Sequence, residues 1–494
     1  MFKRTTWILL GLAVACLLGY FLLDNIRQLR QEQQAERARL FHFATDTIAR
    51  IEIRQQKEGE PVRGSGAEYL EILLERNPEE EGSRWRIVSP IQSAALDFPI
   101  EQLLNTFSRL TPQITLEGAT DLAAFGLDQP RHQIALFPKE GDPYRLAIGN
   151  DNFDGSGFYA QPEGGQVVLL SSAQKGSLLP SLLALRDKTL LRFDTAEVKA
   201  LQVQLAEAEP EVVRLQRQDV RASGAEHFTW QIVQPRELPA DDLNVNRLLN
   251  TLARLQAVEF PAETKDELAP YGLEQPSARL TVELEGGKTL NVALGSEKDG
   301  QVYVITSEHP AVATLLTSTA DILRSDLEEL RDHRIARLNA NQVGQVTLES
   351  QGEKVTLTPR PSEKGSLELR WENPERPGQP VDLGSLFSSL NAARAKEFVE
   401  QADAEAQRVL SEPDLRLTFE PKPDAEQDPL ALSLAASGLR AYVQSSRQPD
   451  IAVIELSTFN SLETEVNRLL EGQPESKDSA PLTQPPSTPS PPSS

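Results

Sequence analysis

The sequence predicts an α+β protein with one N-terminal transmembrane helix, three tandem, mostly antiparallel α/β repeat units and a disordered C-terminal tail. Three observations lead to this fold class. An uncharged apolar stretch lies near the N-terminus, a set of motifs recurs after about 145 residues, and the last residues are rich in Pro and Ser. A length of 494 residues also suits about three domains of ordinary size.

The repeat is visible as motifs that return in the same order. Two copies share five sequence segments, which in the first and second copy respectively are residues 85–90 and 230–235 (Trp-x-Ile-Val-x-Pro), 103–110 and 248–255 (Leu-Leu-Asn-Thr-x-x-Arg-Leu), 125–130 and 271–276 (Phe/Tyr-Gly-Leu-x-Gln-Pro), 148–149 and 294–295 (an apolar residue followed by Gly), and 185–188 and 330–333 (Leu-Arg-Asp-Lys/His). The shared order predicts two copies of one structural unit.

A third copy is more divergent. Trp371, the segment 386–390, Pro413 and Tyr442 follow in the same order, but the Leu-Arg-Asp-Lys/His ending is missing. We interpret this copy as a cap, because a terminal repeat has no following unit to dock against. The predicted repeat units span residues 41–190, 191–335 and 336–471.

Within each unit one segment has helical periodicity and the others alternate. Apolar residues at helical spacing predict one helix per unit. These residues are Ile100, Leu103, Leu104, Phe107 and Leu110 in the first unit, Val245, Leu248, Leu249, Leu252 and Leu255 in the second, and Leu383, Leu386, Phe387 and Leu390 in the third. Short alternating segments, such as 51–53, 69–74 and 85–88, predict strands. The Trp of each unit is expected to pack on the helix.

The N-terminal stretch predicts a membrane anchor. Residues 5–23 carry no charge, and a helix of that length matches the thickness of a bilayer core. The prediction is a cytoplasmic N-terminus over residues 1–6, a transmembrane helix over residues 7–23 and a helical stalk over residues 24–40. Lipid attachment at Cys16 is the alternative, and the Arg residues after the span leave its orientation open. Residues 472–494 are predicted to be a disordered Pro/Ser-rich tail.

Composition and motifs give no enzymatic or nucleic-acid signature. There are 73 acidic and 50 basic residues, a net charge of −23, and the clustered cations that bind phosphate backbones are missing. The only cysteine, Cys16, lies in the apolar stretch, and the five histidines are spread singly. Known catalytic and phosphate-binding motifs are absent. We therefore predict no enzymatic activity, no catalytic, metal-binding or cofactor-binding residues, no cofactor and no nucleic-acid partner.

Two charged segments have an alternative functional interpretation. Residues 150–155 (Asn-Asp-Asn-Phe-Asp-Gly) resemble the start of a calcium loop, but the twelfth place holds Gln161 instead of Glu, so a hairpin turn is favoured. The Arg-Asp-Lys/His segments at 186–188 and 331–333 could form a repeated ligand site or could join neighbouring units by ion pairs. We favour ion pairs.

Together these motifs resemble the bacterial domain-of-unknown-function 4340 family over nearly all of residues 41–470. Members of that family are similar in being single-pass envelope repeat proteins, and some are associated with gliding-motility-type ABC transport systems. The resemblance implies a location in the bacterial inner membrane, with the soluble region facing the periplasm or the cell exterior. It brings no ligand and no catalytic residue.

From this resemblance we expect a membrane-anchored, non-enzymatic envelope scaffold or accessory subunit of a membrane protein complex. Its partners would be the membrane, as an integral single-pass protein, and another envelope protein, for which the resemblance suggests ABC-transporter subunits. An extracytoplasmic solute- or polysaccharide-binding module is the alternative, and an envelope hydrolase is third. A concave pocket with convergent polar groups would favour a binding module, and flat repeat faces would favour a scaffold.

Overall fold

The computed structural model describes residues 36–56, 69–76, 84–206, 211–222, 225–360, 369–399, 401, 403–423, 425 and 428–471. Within these ranges the chain forms three antiparallel sheets. They belong to two compact units, Met1–Thr189 with the first sheet and Leu190–Ser494 with the second and third.

The elements follow one order in each repeat. The first repeat contains β1 (Ile48–Gln56), β2 (Tyr69–Arg76), β3 (Trp85–Ser89), β4 (Ser93–Ala94), α1 (Asp97–Ser108), β5 (Ile114–Leu116), β6 (His132–Pro138), β7 (Tyr144–Asp151), β8 (Gly157–Pro162), β9 (Val167–Ser171), α2 (Lys175–Leu178) and α3 (Leu182–Leu185). The second contains β10 (Val198–Leu205), β11 (Glu211–Ala222), β12 (Ala225–Gln234), β13 (Leu238–Pro239), α4 (Asp242–Ala253), β14 (Ala278–Leu284), β15 (Thr289–Lys298), β16 (Gln301–Thr306), β17 (Ala313–Leu316), α5 (Thr317–Leu323) and α6 (Leu327–Leu330). The third contains β18 (Val343–Ser350), β19 (Glu353–Arg360), β20 (Arg370–Glu372), β21 (Pro380–Val381), α7 (Gly384–Ala392), β22 (Glu397–Val399), α8 (Ala404–Leu410), β23 (Leu415–Pro421), β24 (Leu430–Ser437), β25 (Arg440–Ser445), β26 (Ile451–Glu455) and α9 (Leu456–Glu471).

The first strand of each repeat lies in the middle of its sheet. The strand orders are β4-β3-β2-β1-β6-β7-β8-β9-β5, β13-β12-β11-β10-β14-β15-β16-β17 and β21-β20-β19-β18-β23-β24-β25-β26-β22. The chain therefore builds one half of the sheet as a meander, crosses over through the long helix, and returns to build the other half against the central strand.

One long helix covers one face of each sheet and forms the core with it. The helical face predicted from the sequence is confirmed, because all fourteen of its apolar side chains in α1, α4, α7 and their flanks are buried. Trp85, Trp230 and Trp371 are buried in the same three cores. The opposite side chains of the strands point away from the core, as the two-residue period of a strand requires.

An acidic residue at the start of the long helix ties the helix to the Trp strand. The Asp97 carboxylate accepts a hydrogen bond from the backbone N–H of Arg84 at 3.0 Å, and Asp242 accepts one from Trp230 N–H at 2.9 Å. Each carboxylate also lies in the first helical turn, where the helix dipole favours negative charge.

The third repeat ends in a different way. In the first two repeats, two short helices pack beside the long helix, whereas in the third repeat the single helix α9 packs on α7. Phe459, Leu462, Val466 and Leu469 are its buried residues, at helical spacing. This helix was not predicted from the sequence.

The predicted fold class is wrong in two respects. The described chain is mostly β rather than α+β, since each long helix is accompanied by eight or nine strands. The prediction recognised the longer strands, but two-residue strands such as β13 and β21 are too short to show any alternation. The second respect is the membrane-spanning helix: none of the helices in the described residues has the length and apolar character needed to cross a membrane.

Several predicted segments lie outside the described residues. These are the span at 7–23, the N-terminus at 1–6 and the tail at 472–494. Of the predicted stalk at 24–40, only residues 36–40 are described, and helix is assigned there at residues 36 and 37. Leu40 already belongs to the first repeat, where its N–H donates to Leu110 O at 2.8 Å.

Truncating a core residue of α4 should destabilise the protein far more than truncating an exposed residue of the same helix. Leu248 is fully buried, and we expect Leu248→Ala to cost about 2–5 kcal/mol through lost apolar contact and an unfilled cavity. Leu243 is 79% exposed, so Leu243→Ala should change stability by less than about 0.5 kcal/mol. Equilibrium denaturant unfolding of both variants measures the difference. Similar losses for the two would contradict the packing of α4.

Candidate functional site

The face of the first sheet that points away from α1 carries polar side chains in two rows across the strands. Cross-strand pairing sets these rows. One row is Leu73, Glu52, Ala135 and Arg145, and the other is Glu71, Arg54, Gln133, Ala147 and Gln161. Long side chains therefore stand on both sides of two alanines near the middle of the sheet.

The alanines create a depression, which we call the first-repeat trough. Its volume is about 580 Å³, within the usual range for ligand pockets. Ala135 and Ala147 lie between the longer side chains, and polar groups from five strands reach the trough. The polar lining residues are Glu52, Arg54, Glu71, Ser89, Gln133, Arg145, Gln161 and Glu163.

Charges of both signs alternate along the trough. Arg54 lies 3.7 Å from Glu71, and Arg145 lies 2.9 Å from Glu163. All four side chains are 44% or more exposed, so these pairs add little to stability. Their donors and acceptors can therefore be exchanged for those of a ligand at small cost.

The Phe/Tyr-Gly-Leu motif explains why only part of the outer face is open. Gly126 adopts a left-handed conformation with φ of +67°, and its loop lies so close to β7 that a Cβ on Gly149 would meet the Phe125 carbonyl oxygen at 2.1 Å. The Phe125 ring then packs edge-on against Tyr159 at 4.9 Å between centroids. This loop covers the sheet beside the trough.

In the second repeat the corresponding positions are occupied differently. Thr281 stands at the position of Ala135, opposite the central strand, and its hydroxyl donates to Asn291 Oδ1 at 3.1 Å. Ala293, which corresponds to Ala147, packs in a small apolar cluster with Leu273 and Val312. The same fold therefore presents a different surface at this place.

The predicted calcium-like loop is a hairpin turn. Asn152 Oδ1 accepts from Gly157 N–H at 3.0 Å, and Asp154 Oδ1 accepts from Ser156 N–H at 2.8 Å. The hydrogen bonds from Ser156 lower the pKa of Asp154. Its acidic neighbour Asp151 pairs with Lys175 at 2.6 Å. Across the described part of the chain, no group of three or more His, Cys, Asp or Glu side chains could hold a metal ion.

The Arg-Asp segment that ends the second repeat forms the ion pairs favoured from the sequence. Asp332 is buried, and its carboxylate accepts from Arg334 Nε at 2.8 Å and from Arg337 Nε at 2.6 Å. Arg337 also reaches Asp242 at 3.1 Å and donates to Ala240 O at 2.8 Å. Because Arg337 opens the third repeat, these contacts fix the second repeat to the third.

A second buried carboxylate joins the same two repeats. Asp450 is bound by Arg236 through two hydrogen bonds of 2.6 and 2.5 Å and by Arg331 at 2.8 Å. Arg331 is only 1% exposed and lies over the Phe398 ring, 3.2 Å from its centroid. Burial lowers the pKa of Arg331, and the charge of Asp450 opposes that shift.

Corresponding residues at the end of the first repeat have a related local geometry. Asp187 Oδ1 accepts from Thr189 N–H at 2.9 Å, as Asp332 Oδ1 accepts from Arg334 N–H at 3.1 Å. Arg186 bridges to Ala95 in the backbone, at the position where Arg331 bridges to Ala240. The repeated segment therefore has one local structure in both copies.

Sequence reasoning missed Asp450 and the two alanines of the trough. Asp450 follows β25 and has no counterpart in the motifs shared by the copies, so the sequence gives no reason to join it to Arg331. Ala135 and Ala147 were available as small residues in predicted strands. Their role depends on what stands beside them in neighbouring strands.

The fold and the trough define a mostly β, tandem-repeat protein with an open polar sheet face. The model of a family described as a domain of unknown function (DUF4340) matches residues 85–227 and again residues 230–382, which together make more than half of the chain. The chain therefore belongs to this family, as its motifs led us to expect. Both matches begin at the Trp strand of a repeat. No curated protein and no solved structure matches the chain.

Removing the carboxylate of Asp450 should strongly destabilise the pairing of the second and third repeats. Asp450→Asn leaves Arg331 buried without its counter-charge, and we expect a loss of about 3–5 kcal/mol. Glu397→Gln in the same repeat breaks an ion pair with Arg440 whose members are 49% and 59% exposed, and it should cost less than about 1 kcal/mol. Denaturant unfolding of both variants is the measurement. Equal, small losses would show that the buried pair is not needed for stability.

Proposed function

We propose that this protein is a non-enzymatic accessory or scaffold protein that holds an extended polar segment of a partner protein in the first-repeat trough. The observation that carries the proposal is the depression over Ala135 and Ala147, into which polar groups converge from adjacent strands. Its alternating charges suit a polypeptide with side chains of both signs. The other repeats would serve to build and orient the assembly.

The absence of enzymatic activity is part of the proposal. The trough carboxylates Glu71 and Glu163 lie beside Arg54 and Arg145, and all are well exposed. A catalytic acid or base usually has a pKa shifted by burial or by a like charge. Paired, exposed carboxylates favour binding over catalysis.

A solute- or polysaccharide-binding module is the second candidate, because one copy has a concave pocket with convergent polar groups. Sugar rings commonly stack on aromatic faces, and none of the described residues that line the trough is aromatic. Tyr69 lies nearby, but the Arg54 guanidinium covers its ring at 3.9 Å from the centroid. This composition favours a polypeptide over a polysaccharide.

We also propose that the protein works in the bacterial envelope, with its repeats facing the periplasm or the cell exterior, beside subunits of an ABC transporter. The family resemblance is the support for this part. Fractionation of cells and protease treatment of spheroplasts test it. Digestion of the repeats in intact spheroplasts is the expected result, and protection until lysis would contradict it.

A photo-crosslinking amino acid at the floor of the trough tests partner binding. We expect the group at position 133 to give one discrete protein adduct in the native cells, because Gln133 lines the trough. The same group at position 281, on the outer face of the second repeat, should not give that adduct. Mass spectrometry then identifies the crosslinked segment.

Filling the trough should abolish the adduct without unfolding the sheet. Ala135→Gln adds a longer side chain to a partly exposed position, whereas Thr281→Gln makes the matched change in the second repeat. We expect at least about a tenfold loss of adduct for Ala135→Gln, which corresponds to about 1.4 kcal/mol of binding free energy, and no loss for Thr281→Gln. Adduct that is equal in both variants would refute the trough as the binding site. A free sugar that competes with the adduct would favour the second candidate.

A further inference from the structure

The second and third repeats enclose a cavity beside their buried ion pairs. Its volume is about 440 Å³, and we call it the junction cavity. Side chains from both repeats line it. The polar ones are Gln218, Thr229, Gln231, Glu237, Asp332, Arg334, Arg337, Ser445, Arg447 and Gln448.

Cations outnumber anions in this part of an acidic protein. Three arginines line the cavity, against Asp332 and Glu237. Two of these arginines, Arg334 and Arg337, share the Asp332 carboxylate in ion pairs. The third, Arg447, is therefore the charge that needs a separate partner.

Arg447 has a donor group to spare. Its guanidinium donates to the backbone oxygen of Asp428, and within the described residues it forms no ion pair with a carboxylate. Burial lowers the pKa of Arg447, and the more distant charge of Asp428 offsets this only in part. A guanidinium in such a place is stabilised by an anion that accepts its remaining hydrogens.

The next residue, Gln448, supplies an acceptor. Its Nε2 donates to Arg334 O at 3.0 Å, which fixes the orientation of the amide. Its Oε1 is buried and has no hydrogen-bond partner among the described residues. A buried acceptor without a partner costs free energy, so it favours a ligand that brings a donor.

We propose that the junction cavity binds a small oxyanion that carries a hydrogen on one oxygen, as hydrogen phosphate and phosphate monoesters do. Arg447 would bind the charged oxygens, and Gln448 Oε1 would accept a hydrogen bond from the protonated oxygen. The site is separate from the first-repeat trough, so it stands whether or not a partner binds there.

The hydrogen on the ligand makes the proposal specific. Near neutral pH, phosphate carries at least one acidic hydrogen, whereas sulfate has a similar size and charge and carries none. A carbonyl acceptor such as Gln448 Oε1 can bond to the first but not to the second. A purely electrostatic site would bind both alike.

Titration calorimetry of the full chain at pH 7 tests the proposal with inorganic phosphate, glycerol 3-phosphate and sulfate at equal ionic strength. We expect saturable binding of at least one phosphate probe and about tenfold weaker binding of sulfate. Arg447→Gln should weaken phosphate binding at least about tenfold. Gln448→Leu should remove the preference for phosphate over sulfate. Arg416→Gln, on an exposed arginine paired with Glu349 at 3.3 Å, is the matched control and should leave binding unchanged.

Two results would overturn the site: no saturable binding of either phosphate probe, or equal phosphate binding by the native chain and Arg447→Gln. Tighter binding of glycerol 3-phosphate would assign the ligand to phosphate monoesters. Equal binding of the two would assign it to free phosphate. Thermal unfolding of each variant without ligand shows whether a loss of binding comes from loss of the fold.

Discussion

Each repeat depends on a single packing constraint, which is that one amphipathic helix must cover one face of an antiparallel sheet. Apolar side chains from both elements are buried there, as Leu103 and Leu248 show in the first two repeats. The other face takes no part in this core. Its residues can therefore differ from copy to copy, and Ala135 in the first repeat is matched by Thr281 in the second. A shared core with a variable outer face explains how three similar folds can carry different surfaces.

Much of this core could be predicted from the sequence, because a helix and a strand differ in the spacing of their apolar residues. The buried face of α4 was visible at helical spacing from Val245 to Leu255. The amount of β structure was not, since strands of two residues leave no pattern. Helix α9 had the required spacing at Phe459, Leu462 and Val466. It was overlooked because the third copy lacks the ending of the others, which suggested that nothing followed there.

The candidate sites were much harder to predict, because they depend on which residues meet across strands. Ala135 lies opposite Glu52 and Arg145, and only the register of three strands reveals the depression between them. The junction shows the same limit. Arg331 was recognised as part of a charged segment, whereas its partner Asp450 lies far along the chain, in another repeat. Periodicity identifies faces of single elements, but it does not give pairings between them.

The buried ion pairs have a further consequence for the junction. Taking Asp332 and Asp450 out of water is costly, and ion pairing often only balances that cost, so such pairs contribute more to a defined orientation of two repeats than to net stability. Each of the two carboxylates has two arginines, so the pairs already bring as many as four cations to this place. Arg447 adds a further cation beside them. The contacts that orient the third repeat on the second therefore also create a basic cavity in an acidic protein, and a small anion bound there would stabilise the orientation that formed it.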